Sequence, residues 1–334
     1  MSDDAAVVIS RQGRVGHILL NRPRTLNALD LGMIKAATAA LAAWRDDAGV
    51  ELVVITGAGD RGFCAGGDIR ALRDAGAAGD SAWIASFFGQ EYALNRMIAE
   101  YPKPYVALVD GICMGGGIGV SVHGSHRIAS ERAMFAMPET GIALFPDVGA
   151  SYFLPRMAGQ LGMYLGLSGA RVQGADGVHA GFATHFVPSA QFGDLFAALC
   201  SDGIGALGEF IQPLPPFTLA DNLPAIARAF AADTYEAVLA RLADEGDFGA
   251  ATLAVLAKMS PSSLLWSFAL LRAGISRNLA ECLAAELHLT VSVVPHHDFL
   301  EGVRAMIIDK DRAPKWQPAV LADVDRAAIA AMLG

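Results

Sequence analysis

Only four of the 334 residues are cysteine, namely Cys64, Cys113, Cys200 and Cys282, and no two of them form a CxxC pair. That scatter excludes a disulfide framework and a thiolate metal knot, and a reducing, cytoplasmic setting is expected. The opening Met1-Ser2-Asp3-Asp4 has neither the basic nor the apolar region of a secretory signal. No uninterrupted run of about 18 apolar residues occurs, so no membrane partner is expected. Charge is also sparse: 18% of residues carry it, and acids outnumber bases for a formal net charge of −9. A general nucleic-acid binder presents a basic face, so nucleic acid is set aside as a partner. Local cations could still hold the phosphates of a small ligand. There is no GxSxG elbow either. Ser121 lies in Gly119-Val120-Ser121-Val122-His123 and Ser151 in Gly149-Ala150-Ser151-Tyr152-Phe153, which argues against a serine hydrolase of that type.

Apolar residues are plentiful, at 53% of the chain, enough for one elaborated domain or two smaller ones. Ala6 to Ser10 and Val15 to Leu20 are expected to pair as strands. Asp30 reads as the N-cap of a helix reaching Trp44, with Ile34, Ala37, Leu41 and Trp44 on one face. Leu52 to Thr56 and Tyr105 to Val109 are short, wholly apolar runs of the buried parallel type. A glycine-laden loop from Gly57 to Asp68 and a helix from about Asp80 to Glu100 lie between them. Alternation of strands and helices continues to about Val187, an α/β pattern. Beyond Pro213-Leu214-Pro215-Pro216 nearly everything reads as helix, with segments near 223–232, 234–244, 248–259, 262–273 and 279–294.

Chemistry concentrates around two glycine turns and two acids. Met114-Gly115-Gly116-Gly117 follows a buried strand, where glycine lets the backbone approach a ligand and a helix start exposes its N–H groups. Such donors can stabilise an oxyanion as a carbonyl carbon becomes tetrahedral. A tight connection with no ligand explains that turn alone equally well. The second pair, Gly66-Gly67, also follows a buried strand and could supply one more N–H to a shared oxygen. Glu139 follows Pro138 and Asp147 follows Pro146, so each acid is held by a residue of fixed φ. A helix first turn explains Glu139 alone, and a Pro-Asp-x-Gly turn explains Asp147. Together, among Phe135, Met137, Leu144 and Phe145, they suit acid–base or nucleophilic work. Two other patterns carry little weight. Gly57-Ala58-Gly59-Asp60-Arg61-Gly62 fits GxGxxG, but Phe63-Cys64-Ala65-Gly66-Gly67 is a poor helix opening for a dinucleotide site. His296-His297-Asp298 are adjacent, and adjacent residues rarely chelate one metal together.

These residues resemble the crotonase, or enoyl-CoA hydratase/isomerase, superfamily. The likeness rests on Asn21-Arg22-Pro23, Leu26-Asn27-Ala28-Leu29, Phe63-Cys64-Ala65-Gly66-Gly67-Asp68-Ile69 and the triple glycine. Within it, Met137-Pro138-Glu139-Thr140, Leu144 to Gly149, Tyr152 to Arg156, Ala183 to Val187 and Phe299 to Ala305 are most similar to the 3-hydroxyisobutyryl-CoA hydrolase subgroup. Asp309-Lys310-Asp311 and Pro314-Lys315-Trp316 extend the match into the tail.

The resemblance implies an α/β, crotonase-like spiral of ββα units over residues 1–195, with a helical extension over 196–334 packing on it. It implies an acyl-CoA substrate, no cofactor beyond the CoA of that substrate, no metal, and a homo-oligomer (trimer or hexamer). The Gly67 and Gly116 N–H groups would form the oxyanion hole, Glu139 would be the main carboxylate and Asp147 the second acid. Glu91 would touch the polar end of the substrate, although an ordinary helix-face acid explains it too. Arg22, Arg24, Leu26 and Ala28 would lie near the CoA nucleotide, and Asp68, Ile69 and Arg70 along the pantetheine path. Gly119 departs from the hydratases, which carry one of two water-holding carboxylates there. Thioester hydrolysis of 3-hydroxyisobutyryl-CoA, in valine degradation, is therefore expected ahead of hydration or isomerisation of a short enoyl-CoA. 3-Hydroxypropionyl-CoA is a second candidate substrate.

Overall fold

The structure, a computed structural model, describes residues 5–333; the acidic opening at residues 1–4 lies outside them. Among the described residues there are ten strands: β1 (Val7–Gln12), β2 (Val15–Leu20), β3 (Leu52–Gly57), β4 (Gly62–Cys64), β5 (Tyr105–Val109), β6 (Ile112–Met114), β7 (His126–Ala129), β8 (Met134–Ala136), β9 (Val172–Gln173) and β10 (His185–Phe186). They form a six-stranded sheet of order β1-β2-β3-β5-β7-β10 and a four-stranded sheet of order β4-β6-β8-β9. The chain thus lays one strand in the first sheet and the next in the second, then returns and repeats. β3 and β4, β5 and β6, and β7 and β8 are such pairs, which makes the architecture a spiral. β1–β2 and β8–β9 are antiparallel and the other pairings are parallel.

The expected strands owe their place to composition. Leu52, Val53, Val54 and Ile55 and all of β5 are buried, as strands covered on both faces must be. Step size between the sheets is set by glycine. Gly111, between β5 and β6, has φ +95°, and a Cβ there would lie 2.6 Å from the Arg61 carbonyl oxygen. The expected helix runs Leu31–Trp44, with the Asp30 carboxylate accepting from the Met33 N–H at 2.9 Å.

Compactness divides the chain into two interleaved units. One comprises residues 1–67, 90–136 and 172–217 and holds every described strand. Val15, Leu52, Val54, Val106, Leu108 and Ile128 of its first sheet pack with Leu195 and Leu199 of the Phe192–Asp202 helix. The stretch ends at Phe217, just after the proline run, where His179 stacks on the Phe217 ring at 5.1 Å. The other unit comprises residues 68–89, 137–171 and 218–334 and is helical. A single cut near residue 195 follows the order of elements along the chain, since β10 is the last strand. The compact units follow contacts instead, and they place the segment bearing Glu139 and Asp147 with the C-terminal helices.

Helices Leu223–Phe230, Tyr235–Leu242, Gly246–Leu256, Pro261–Gly274 and Leu279–Val293 lie within a few residues of their expected bounds. Two helices were not expected: Phe192–Asp202, and Ile69–Ala78, which directly follows the glycine loop. Asp68 caps it, and Gly76 looks like an interruption. In the fold Gly76 is the point of closest approach, since a Cβ there would lie 2.5 Å from the Val294 carbonyl oxygen. Among the described residues no single helix is long and apolar enough to cross a membrane.

Candidate active site

In the sheet-bearing unit the two glycine turns meet. The segment after β4 runs into Ala65-Gly66-Gly67, and the segment after β6 into Gly115 and the Gly116–Val122 helix. Gly66 takes φ +116° and Gly115 φ +50°, conformations that suit glycine. The Leu29 N–H donates to the Gly66 carbonyl at 2.8 Å. That parallel bridge leaves the Gly67 N–H facing the other edge of its segment. Gly116 opens its helix, where the first-turn N–H groups have no intrahelical acceptor. A Cβ built on Gly116 would sit 3.2 Å from the Gly67 nitrogen. Gly67 and Gly116 are therefore neighbours in space. Gly117 has a different duty, because a Cβ there would lie 2.2 Å from the Cys64 carbonyl oxygen.

Glu91 joins this pair from the Ser81–Ala99 helix. It is 2% exposed, and its Oε1 would lie 2.5 Å from a Gly116 Cβ. Glu91 is thus turned inward over Gly116 and is not a solvated helix-face acid. The neighbouring thiol of Cys64 is pushed up to about 12, chiefly by burial and further by the Glu91 carboxylate. Near neutral pH it is not a thiolate nucleophile. Gly119 is buried in the same helix, its N–H on the Gly115 carbonyl at 3.1 Å.

The loop assigned to the nucleotide also lies in this unit. Arg24 and Arg61 line a cavity of about 200 Å3 with Pro23, Ala58, Gly59, Asp60 and Gly62. Sequence reading missed Arg61, which was seen only as part of a weak GxGxxG. It also missed Asn27, the residue that builds the cavity. Asn27 is fully buried; its Nδ2 donates to the Ala58 and Gly62 carbonyls, each at 2.9 Å, and its Oδ1 accepts from the Arg22 N–H at 2.9 Å. Asn27 and Leu26 both take positive φ, which turns the chain there. Arg22 is drawn inward, its guanidinium on the Ala28 carbonyl at 2.8 Å and near Asp30 at 3.3 Å.

In the helical unit, Glu139 begins a 3-10 turn, Glu139–Ile142, directly after Pro138 and is 6% exposed. Asp147 is 4% exposed and precedes Val148 and Gly149, both at positive φ. A β-branched residue in that region is strained by about 1–3 kcal/mol and needs surroundings that impose it. Those surroundings are the C-terminal helices. Ser263 Oγ and Trp266 Nε1 both donate to the Leu144 carbonyl, the latter at 3.2 Å. Glu286, from the Leu279–Val293 helix, accepts the Gly149 N–H at 2.7 Å and the Ser151 N–H at 3.0 Å. Asp68, Ile69 and Arg70 lie at the start of the Ile69–Ala78 helix in the same unit. Asp68 caps that helix and Arg70 donates to the Ile307 carbonyl at 3.0 Å, so two of the three have structural partners. His296, from the adjacent-histidine pattern, is likewise a helix cap that accepts from the Asp298 N–H at 3.1 Å.

Two sheets fed alternately by a spiral chain, with paired glycine turns presenting main-chain donors, define the crotonase class of α/β protein. A family model described as Enoyl-CoA hydratase/isomerase matches residues 15–333, and the chain belongs to that family. Similar proteins include the mitochondrial 3-hydroxyisobutyryl-CoA hydrolases of Xenopus tropicalis and Homo sapiens. The first is 46% identical over 334 residues, covering 96% of this chain and 86% of the relative. The second is 44% identical over 337 residues, covering 96% and 87%. Among solved structures, a carnitinyl-CoA dehydratase from Mycobacterium thermoresistibile superposes with a TM-score of 0.94 at 38% identity, covering 99% of this chain and 97% of that one. An enoyl-CoA hydratase from Rhodobacter sphaeroides 2.4.1 does so with a TM-score of 0.92 at 41% identity and the same coverage.

Proposed function

We propose that this protein is a thioester hydrolase that converts 3-hydroxyisobutyryl-CoA to 3-hydroxyisobutyrate and CoA, a step of valine degradation. The observation that carries this reading is the distribution of acids: buried carboxylates at Glu139 and Asp147, and no side chain at Gly119. Hydration across a C2=C3 bond needs water held between two carboxylates, one of them at the position of Gly119. Thioester cleavage needs a polarised carbonyl and one attacking group. Relatives named as 3-hydroxyisobutyryl-CoA hydrolases, matched along nearly the whole chain, support the same choice.

In this reading the N–H groups of Gly67 and Gly116 polarise the thioester oxygen, a contribution worth about 10²–10³ in rate for each donor. Glu139 either attacks the carbonyl carbon, giving a mixed anhydride that water then opens, or deprotonates the attacking water. Asp147 orients Glu139, the water or the substrate hydroxyl. The departing thiol, with a pKa of about 8.5, leaves without a strong general acid. Glu91 contacts the polar end of the acyl group. Arg24 lies at the CoA nucleotide and Arg61, which shares its cavity, is added there; Leu26 and Ala28 complete the nucleotide loop, and Asp68, Ile69 and Arg70 follow the pantetheine. No cofactor or metal takes part. A homo-oligomer, trimer or hexamer, and a cytoplasmic location belong to the same proposal. The four free cysteines are in keeping with a reducing compartment, while the relatives' names place those proteins in mitochondria.

The hydratase reading draws on the names of the two superposed structures and is tested beside the first. Purified protein is given 3-hydroxyisobutyryl-CoA, 3-hydroxypropionyl-CoA and crotonyl-CoA, with free thiol and double-bond loss followed separately. Thiol release from the hydroxyacyl thioesters supports hydrolysis. Double-bond loss without thiol release would replace it by hydration.

A further inference from the structure

Glu286 is fully buried, 135 residues away in the chain from Ser151, and both its oxygens are turned to one short segment. Oε2 accepts the Gly149 N–H at 2.7 Å, and Oε1 accepts the N–H and the hydroxyl of Ser151. These donors lie two and four residues after Asp147, beyond the left-handed Val148 and Gly149. Two main-chain donors, one on each oxygen, and a Ser151 hydroxyl that can donate to the carboxylate or accept from the protonated carboxyl call for a carboxyl group. Glutamine would present an NH2 to one of the N–H groups. The other side of the segment is closed by backbone, since a Cβ on Gly274 would lie 1.7 Å from the Ser151 carbonyl oxygen. The Asp147 carboxylate stands close enough to add to burial in raising the Glu286 carboxyl. For stability alone, two buried acids near one another are a poor solution, because each disfavours the charge of the other.

We propose that Glu286 is a positioning residue for thioester hydrolysis: by gripping Gly149 and Ser151 it fixes the Asp147–Ser151 turn and aims the Asp147 carboxylate. It touches no substrate and acts through Asp147. The proposal rests on the hydrolase reading and gives the C-terminal helix that carries Glu286 a part in the chemistry. It also accounts for the strained φ at Val148, which an unanchored turn would relax.

The test uses the full-length protein and 3-hydroxyisobutyryl-CoA, with thiol release per folded molecule as the readout. In Glu286→Gln the turn keeps its volume and loses one acceptor. A displaced carboxylate of that kind is expected to lower kcat by about 10-fold to 100-fold. KM should change by less than about threefold, because ground-state contacts are untouched. Ser151→Ala removes one bond, leaves Glu286 in place, and should lower kcat by a smaller factor, again with KM held. If Glu286→Gln does not fold, Ser151→Ala carries the test alone. A lowered melting temperature with wild-type kcat in either folded variant would overturn the positioning role and leave the hydrolase reading standing. Loss expressed in KM alone, with kcat at the wild-type value, would overturn it as well. A wild-type protein that releases no thiol sinks both.

Discussion

A Cβ on Gly116 would lie 2.5 Å from Oε1 of Glu91 and 3.2 Å from the main-chain nitrogen of Gly67. A side chain at position 116 would therefore run into the buried Glu91 carboxylate and crowd the Gly67 N–H. The obstacle at Gly116 is the end of a flexible side chain, whereas the obstacle at Gly117 is the Cys64 carbonyl 2.2 Å away.

Gly116→Ala should fold and lose activity. The new methyl displaces Glu91 and crowds the Gly67 N–H, and kcat should drop by about 10²-fold, the scale of one lost donor. Gly117→Ala should instead fail to fold, since backbone has to move. Circular dichroism and thiol release on the two variants separate these outcomes; an active Gly116→Ala would remove that turn from the oxyanion site.

Glu139→Gln and Asp147→Asn should each abolish turnover while acyl-CoA binding persists. Both keep volume and remove charge, so calorimetric titration with a non-hydrolysable acyl-CoA analogue should give near wild-type affinity. Near-normal hydrolysis by either variant would take that residue out of the mechanism.

Asn27→Ala should raise KM more than it lowers kcat. It strips partners from two carbonyls and one N–H, each costing roughly 1–3 kcal/mol if left buried and unpaired. The Ala58 to Gly62 loop would loosen and the Arg24–Arg61 cavity with it. Unchanged KM would dissociate this cavity from the substrate.

The contribution of Glu286 to stability should fall as pH rises from 4.5 toward 8, while the half-buried His17, His126, His185 and His296, all lowered chiefly by burial, act in the opposite direction near pH 6.5. Burial, and then the nearby Asp147 charge, push the Glu286 carboxyl from its ordinary 4.5 up to about 8 against the opposing pull of the Ser151 and Gly149 donors. Across that window the folded protein holds a proton that the unfolded chain has released, so the folded state loses ground with every unit. Cys282, on the same helix and raised mainly by burial, also feels the Glu286 charge, and Arg156 and Arg277 act on Cys282. The melting temperature of wild type relative to Glu286→Gln should fall steadily over this range. Parallel curves would refute the assignment.

Much of the scaffold could be read from local pattern. Leu52 to Ile55 and Tyr105 to Val109 had no polar residue to face solvent, and they are central parallel strands. Asp30 before an apolar stripe was enough for the Leu31–Trp44 helix. The glycine turns were legible because two of them follow buried strands, where one alone is explained equally well by a tight connection. The Ile69–Ala78 helix was not, because Gly76 counts against a helix until Val294 is seen above it. Glu286 left only a faint trace: an acid in register with Cys282, Leu289 and Val293 on the buried stripe of its helix.

What this sequence determined by itself is therefore short-ranged: strand and helix identity, capping, and the turns in which glycine or proline leaves little choice. It also placed Glu139 and Asp147 behind their prolines and left position 119 bare. Tertiary structure alone decided that Asn27 would stitch two loops into a cavity and that Glu286 would reach Ser151 across 135 residues. Such pairings are set by which surfaces meet when the core is buried, and a donor's partner is not written in the residues beside it.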